Sequence, residues 1–211
     1  LALIGATGRT GVHALASALD GGHEVTVLVR DPARLPDEVS SGVRVVVGDA
    51  ADPAALTEAL GGADAVVSAL GPVRGQPDVH TRTAIVLTGV MERVGPRRFV
   101  GVSGEGGDAT GKRKDPRDRV ISAVIRRLGG AVVRDKAAEY RVFAATDLDW
   151  TLVRPPRLVD GPRTPGQLEH DATRSTRSTR LTRADLGAFL IEVAVDGSYP
   201  RCAPFVATPA R

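Results

Sequence analysis

The chain has 211 residues, of which 42% are hydrophobic and 25% charged, and its net charge is +3. That composition is of an ordinary soluble globular protein of one domain, and no apolar run reaches the roughly 18 residues of a membrane span. A lone cysteine, Cys202, excludes an internal disulfide and a cysteine-rich metal cluster and points to a reducing cytoplasm, while one Trp, two Tyr and four Phe leave no stacking platform for nucleic acid.

Short apolar runs alternate with longer amphipathic ones from the first residue on. Leu1–Ile4 reads as a strand, Gly11–Leu19 as a helix, and Glu24–Val29 and Val43–Val47 as further strands rich in Val. Pro53–Leu60 is helical, Asp64–Ala69 a strand, Val79–Val94 helical and Phe99–Val102 a strand. The segment 104–119 is glycine-rich and charged, hence a surface loop. Arg134–Ala145 is helical and Trp150–Val153 a strand. In 162–183 an arginine recurs every third residue from Arg174 to Arg183, which predicts a loop or strand over the site. "RADLGAFLIEVAVDG" is then a helix and "CAPFVAT" a last strand. Strands that alternate with helices predict a single α/β domain, a Rossmann-type doubly wound parallel sheet covered on both faces.

The stretch "LALIGATGRTGVHALAS" places Gly5, Gly8 and Gly11 between the first strand and the first helix. A helix N-terminus offers free N–H groups and a positive dipole end to an anion. Glycines there allow a tight turn, close approach of a pyrophosphate, and close packing of helix on strand. The loop residues Thr7, Arg9 and Thr10 belong to the same cradle. The second strand ends on Arg30 and not on the acidic residue that holds an NAD ribose. With Arg9 in the loop, two guanidinium forks suit a 2′-phosphate, so NADP(H) is expected over NAD(H). Asp49 and Ala50, after the third strand, are placed for the adenine, and Ala69, Leu70 and Gly71, after the fourth, for the nicotinamide ribose.

Together "GATGRTG", "VTVLVRDPARLP", "VVVGD", "LDWTLVRPPRL" and "LTRADLGAFL" resemble an atypical short-chain dehydrogenase/reductase. The nearest branch is the NAD(P)H-binding group that includes flavin reductase/biliverdin-IXβ reductase and the NmrA-like proteins. The resemblance implies a Rossmann fold with NADP(H), and it places the family lysine on Lys136 and the family serine on Ser103. The family tyrosine position falls on Val132, and Tyr140 lies one turn past the lysine instead. The resemblance further implies that an acceptor would lie near Gly71, Ser103 and Pro155. Pro155-Pro156-Arg157 departs from the Pro-Pro-His of the biliverdin-reducing relative, which weighs against a biliverdin-type substrate.

The tyrosine is a general acid in ketone reduction, and without it a conjugated acceptor that takes its proton from water is favoured. The expected function is NADPH-dependent reduction of a flavin- or quinone-type small molecule, with Ser103 and Lys136 at the reacting centre. Two alternatives are a silent NADP(H)-sensing regulator of NmrA type and, less favoured, a nucleotide-sugar epimerase relative. No histidine pair has metal-ligand spacing, and no membrane or nucleic-acid partner is expected.

Overall fold

A computed structural model describes residues 1–36, 42–103 and 130–209. Its centre is a six-stranded parallel sheet in the order β3-β2-β1-β4-β5-β6. The strands are β1 (Ala2–Ile4), β2 (Val25–Val29), β3 (Val43–Val47), β4 (Ala65–Ser68), β5 (Arg98–Val102) and β6 (Asp149–Val153). Among the described residues five α-helices cover it: α1 (Gly11–Asp20), α2 (Pro53–Leu60), α3 (Val79–Val94), α4 (Gly130–Ala144) and α5 (Arg183–Asp196).

Alternation along the strands splits the core in two. Leu3 and Val27 face one layer with Leu15 and Ala18 of α1 and Leu186, Phe189 and Leu190 of α5. Ala2, Ile4 and Leu28 face the other, with Leu56 and Leu60 of α2, Leu87 of α3 and Phe143 of α4. There Phe99 of β5 stacks on Phe143, ring centroids 4.2 Å apart. Full burial of each such side chain is worth about 1.5–3 kcal/mol, so a strand buried on both faces reads as continuously apolar. Local signals set several ends. Asp52 caps α2 by accepting from Ala54 N, with Pro53 at the first helical position, and Thr182 caps α5 by accepting from Asp185 N.

The observed elements match the expected ones within a residue or so, with two exceptions: the last strand, expected over "CAPFVAT", is confined to Phe205–Ala207, and the fourth helix differs at its start. Helix α4 begins at Gly130, four residues ahead of Arg134, because Ala131, Val132 and Val133 extend the turn. After β6 the chain makes a ribbon the sequence resolves poorly. β7 (Arg157–Val159) pairs in parallel with β9 (Arg180–Thr182), and β8 (Glu169–Asp171) pairs antiparallel with β10 (Phe205–Ala207). The segment 162–183 is thus partly strand. The loop expected at 104–119 lies outside the described residues. Among the described residues no helix is long and apolar enough to cross a membrane.

Candidate functional site

The carboxyl ends of β1 and β4 converge on the glycine loop. Gly5 has φ +82, a conformation glycine adopts freely, and a Cβ there would stand 3.0 Å from the backbone of Ala69 and Leu70. Ala69 N donates to Ile4 O at 2.9 Å, which continues the ladder to this point. Gly8 N donates to Gly5 O at 3.0 Å and closes the loop. A Cβ on Gly11 would lie 1.9 Å from Gly5 O, so helix α1 starts hard against the loop. Thr10, at the N-cap, makes no side-chain cap bond, and among the described residues the amides of Arg9, Thr10 and Gly11 find no acceptor. Three open N–H groups at the positive end of a helix fit a pyrophosphate.

Gly5, Thr7, Arg30, Asp49, Ala50 and Leu70 line one recess beside this loop. A turn bridged between Val73 and Gln76 forms its far wall, which the sequence reading did not include. Arg30 is exposed at the end of β2. The next residue, Asp31, is spent on capping the turn at Pro32–Arg34. Asp49 accepts from Ala51 N at 2.9 Å and is not the cap of α2, which is Asp52, so it keeps its place on the recess wall. Gly71 is exposed, with open space where a side chain would stand. A larger cavity of about 850 Å³ opens at the amino ends of the strands, around Leu1, Glu24, Asp64 and Arg98, at the opposite end of the sheet from the glycine loop.

Arg9 departs from expectation. Its Nη2 donates to Asp160 at 2.6 Å, and Arg183 Nη1 donates to the other oxygen of the same carboxylate at 2.7 Å. It does not line the recess that Arg30 lines. The reason is that the chain beyond β7 returns across the glycine loop and offers a nearer anion. The hydrogen bond from Arg9, then Arg183, holds the Asp160 carboxyl below its usual range.

Ser103 and Lys136 meet at the exit of β5. Ser103 is buried, its N donates to Val153 O at 2.7 Å, and its hydroxyl bonds to no described residue. Lys136 is largely buried rather than solvent-facing: its Nζ donates to Val102 O at 2.6 Å and pairs with Glu139 at 3.0 Å. One turn earlier Val132 is 43% exposed and holds no proton to give. Tyr140 points elsewhere, edge-on to Trp150 at 5.5 Å on the core side of the helix. Pro155 is buried just past β6 and follows Arg154, whose Nε donates to Ala203 O at 2.7 Å.

Behind these residues lies a polar cluster that the sequence reading missed. Asp135 accepts from His80 N, His80 Nδ1, Thr81 N and Thr81 Oγ1 at 2.9, 2.8, 2.9 and 2.6 Å. It therefore caps α3 from a neighbouring helix, while Asp78, at the N-cap position, makes no cap bond. His80 Nε2 lies 3.2 Å from Leu70 O. Burial alone would raise the Asp135 pKa, but the bonds from Thr81 and His80 outweigh it and hold the group below its usual value. Only the aspartate beside Lys136, on a helix face that has to be buried, signals this cluster in the sequence.

Comparison with known proteins agrees with this arrangement. A model of an NAD(P)H-binding family matches residues 5–196. The phenylcoumaran benzylic ether reductase PT1 of Pinus taeda is 34% identical over 106 residues, 46% of this chain and 34% of that one, so the chain spans about a third of that relative's length. Among solved structures, a short-chain dehydrogenase/reductase from Veillonella parvula in complex with NADP superposes with a TM-score of 0.79 at 19% identity, covering 99% of this chain and 94% of that one. The anaerobillin reductase ChuY of Escherichia coli O157:H7 gives 0.77 at 22% identity, covering 99% and 97%. Those two likenesses speak for the fold. With the glycine loop, the strand order and the family match in agreement, the chain belongs to the NAD(P)H-binding family of Rossmann-fold proteins.

Proposed function

We propose that this chain is an NADPH-dependent oxidoreductase that reduces a small conjugated acceptor of flavin or quinone type. The amides of Arg9, Thr10 and Gly11 would hold the pyrophosphate, Arg30 the 2′-phosphate and Asp49 the adenine, and the backbone at Ala69–Gly71 would border the nicotinamide ribose. The bound cofactor supplies a hydride. Ser103 offers a hydroxyl, unclaimed by any described residue, to the acceptor or the carboxamide, and Pro155 closes the other side.

The observation that carries the reading is Val132, which stands one turn before Lys136 and is 43% exposed. Reduction of an isolated carbonyl needs an acid at that place. An acceptor whose ring spreads the added charge takes its proton from water and does not. The same absence favours a second reading, a regulator that binds NADP(H) without turnover, because the Lys136 ammonium is already engaged by Glu139 and Val102 O. NADPH oxidation against a panel of flavins and quinones separates the two. Turnover with a member of the panel supports the reductase; tight NADPH binding with no turnover supports the regulator.

A further inference from the structure

The cluster behind the site has a geometry that packing alone does not require. His80 is 1% exposed and sits between two acceptors, the Asp135 carboxylate at 2.8 Å and the Leu70 carbonyl at 3.2 Å. Asp135 receives four donors, so it is an ionised carboxylate and Nδ1 carries a proton. An imidazole with that single proton leaves Nε2 facing Leu70 O with nothing to donate. Only the imidazolium satisfies both neighbours. Leu70 is part of the recess wall, as is Val79, the residue before His80.

We propose that His80, oriented by Asp135, is a positioning residue for the cofactor site, and that it fixes the Leu70 carbonyl and the backbone at the exit of β4 by taking up a proton from water when the dinucleotide binds. The proposal rests on the cofactor reading above. Among the described residues, the charged groups that act on the ring come from α4: Lys136, Glu139 and Asp135. The exit of β4 contributes only the Leu70 carbonyl, and α3 the neighbouring Thr81. Burial first, and then the Lys136 ammonium, push the His80 pKa below its usual value, so the ring of the free protein is neutral at pH 7. A bound dinucleotide brings negative phosphates to the same end of the sheet and orders the carbonyl that accepts the second proton. Both effects favour the imidazolium, so affinity rises as pH falls.

The test is calorimetric titration of the intact chain with NADP+ and with NAD+ between pH 5.5 and 8, for wild type and His80→Gln. The NAD+ arm lacks the 2′-phosphate and its own titration. Wild type should bind about fivefold to tenfold more tightly at the acid end, because binding that favours the imidazolium is strengthened as protons become available. His80→Gln should lose most of that slope while it melts close to wild type. A second measurement needs no variant: NAD+ titrations of wild type near pH 6, in buffers of different ionisation enthalpy, should reveal net proton uptake. Parallel pH profiles in wild type and variant, or no uptake in wild type, would overturn the role of His80 and leave the cofactor reading standing. No binding of either nucleotide would overturn both.

Discussion

Gly11→Ala tests the geometry of the glycine loop most directly. The added methyl would stand 1.9 Å from Gly5 O, 2.8 Å from Gly5 C and 2.9 Å from Ala6 Cα. All three are backbone atoms, so no side chain can swing away, and the loop has to retreat by about 1.5 Å to reach ordinary van der Waals separation. Overpacking of that kind costs about 1–3 kcal/mol. Alanine at the start of a helix recovers up to about 1 kcal/mol of propensity, which leaves a net loss near 2 kcal/mol. In a chain of 150–250 residues this lowers Tm by roughly 4–8 °C. Gly8→Ala is the control. Its methyl meets Gly5 O at 3.2 Å and Ala69 O at 3.9 Å, so it fills the cradle without forcing the loop apart. Scanning calorimetry should show Gly11→Ala melting early and Gly8→Ala within about 2 °C of wild type. Titration with NADP+ should show both losing at least about tenfold in affinity. A Gly11→Ala protein that melts with wild type, or a Gly8→Ala protein that binds NADP+ fully, would refute the reasoning.

Arg30→Ala should cut the preference for NADPH over NADH by about tenfold, the worth of one charge-assisted contact, when both are titrated calorimetrically; an unchanged ratio would remove Arg30 from the 2′-phosphate. Gly8→Val should abolish cofactor binding while circular dichroism stays native, and retained affinity would mean the loop has another purpose. Ser103→Ala should lower turnover with a flavin or quinone several-fold and leave the NADPH Kd within about twofold, as kcat and binding measured side by side would show. His80 and Asp135 both have lowered pKa values in the folded chain, so the unfolded chain binds more protons and stability falls as pH drops. The decline should begin near the usual histidine value and continue below that of aspartate, and Tm measured from pH 7.5 to 4 should fall in wild type and fall less near pH 6 in His80→Gln.

Much of the fold was legible because local physics dictated it. Val-rich strands, buried on both faces except at the β3 edge, with capped or glycine-ended helices between them, carry their identity in a few consecutive residues. The cradle was legible for the same reason, since Gly5, Gly8 and Gly11 do their work within one turn. What escaped the reading depends on distant pairs. Arg9 looked free to serve a phosphate because Asp160, its partner, lies 151 residues away. His80 gave no sign of its role because its partner Asp135 lies 55 residues further on. The ribbon from β7 to β10 was obscured by arginines and threonines that carry little periodicity, and its strands are only three residues each.

The crossing of α1 and α5 bears on how the protein is made. Gly187 lets the two helices touch: a Cβ there would lie 2.6 Å from Ala14 N and 2.8 Å from His13 C. Leu15 and Ala18 of α1, the helix whose amino end opens on the cradle, share one core layer with Leu186, Phe189 and Leu190. Helix α1 thus finds this cover only once residues 183–196 have also been translated. Until then its apolar stripe is exposed and its amino end is unsupported. A nascent chain halted before Arg183 would hold the entire glycine motif and yet lack a rigid cradle, which makes cofactor capture a late event in synthesis and the exposed stripe of α1 a target for chaperones in the interval.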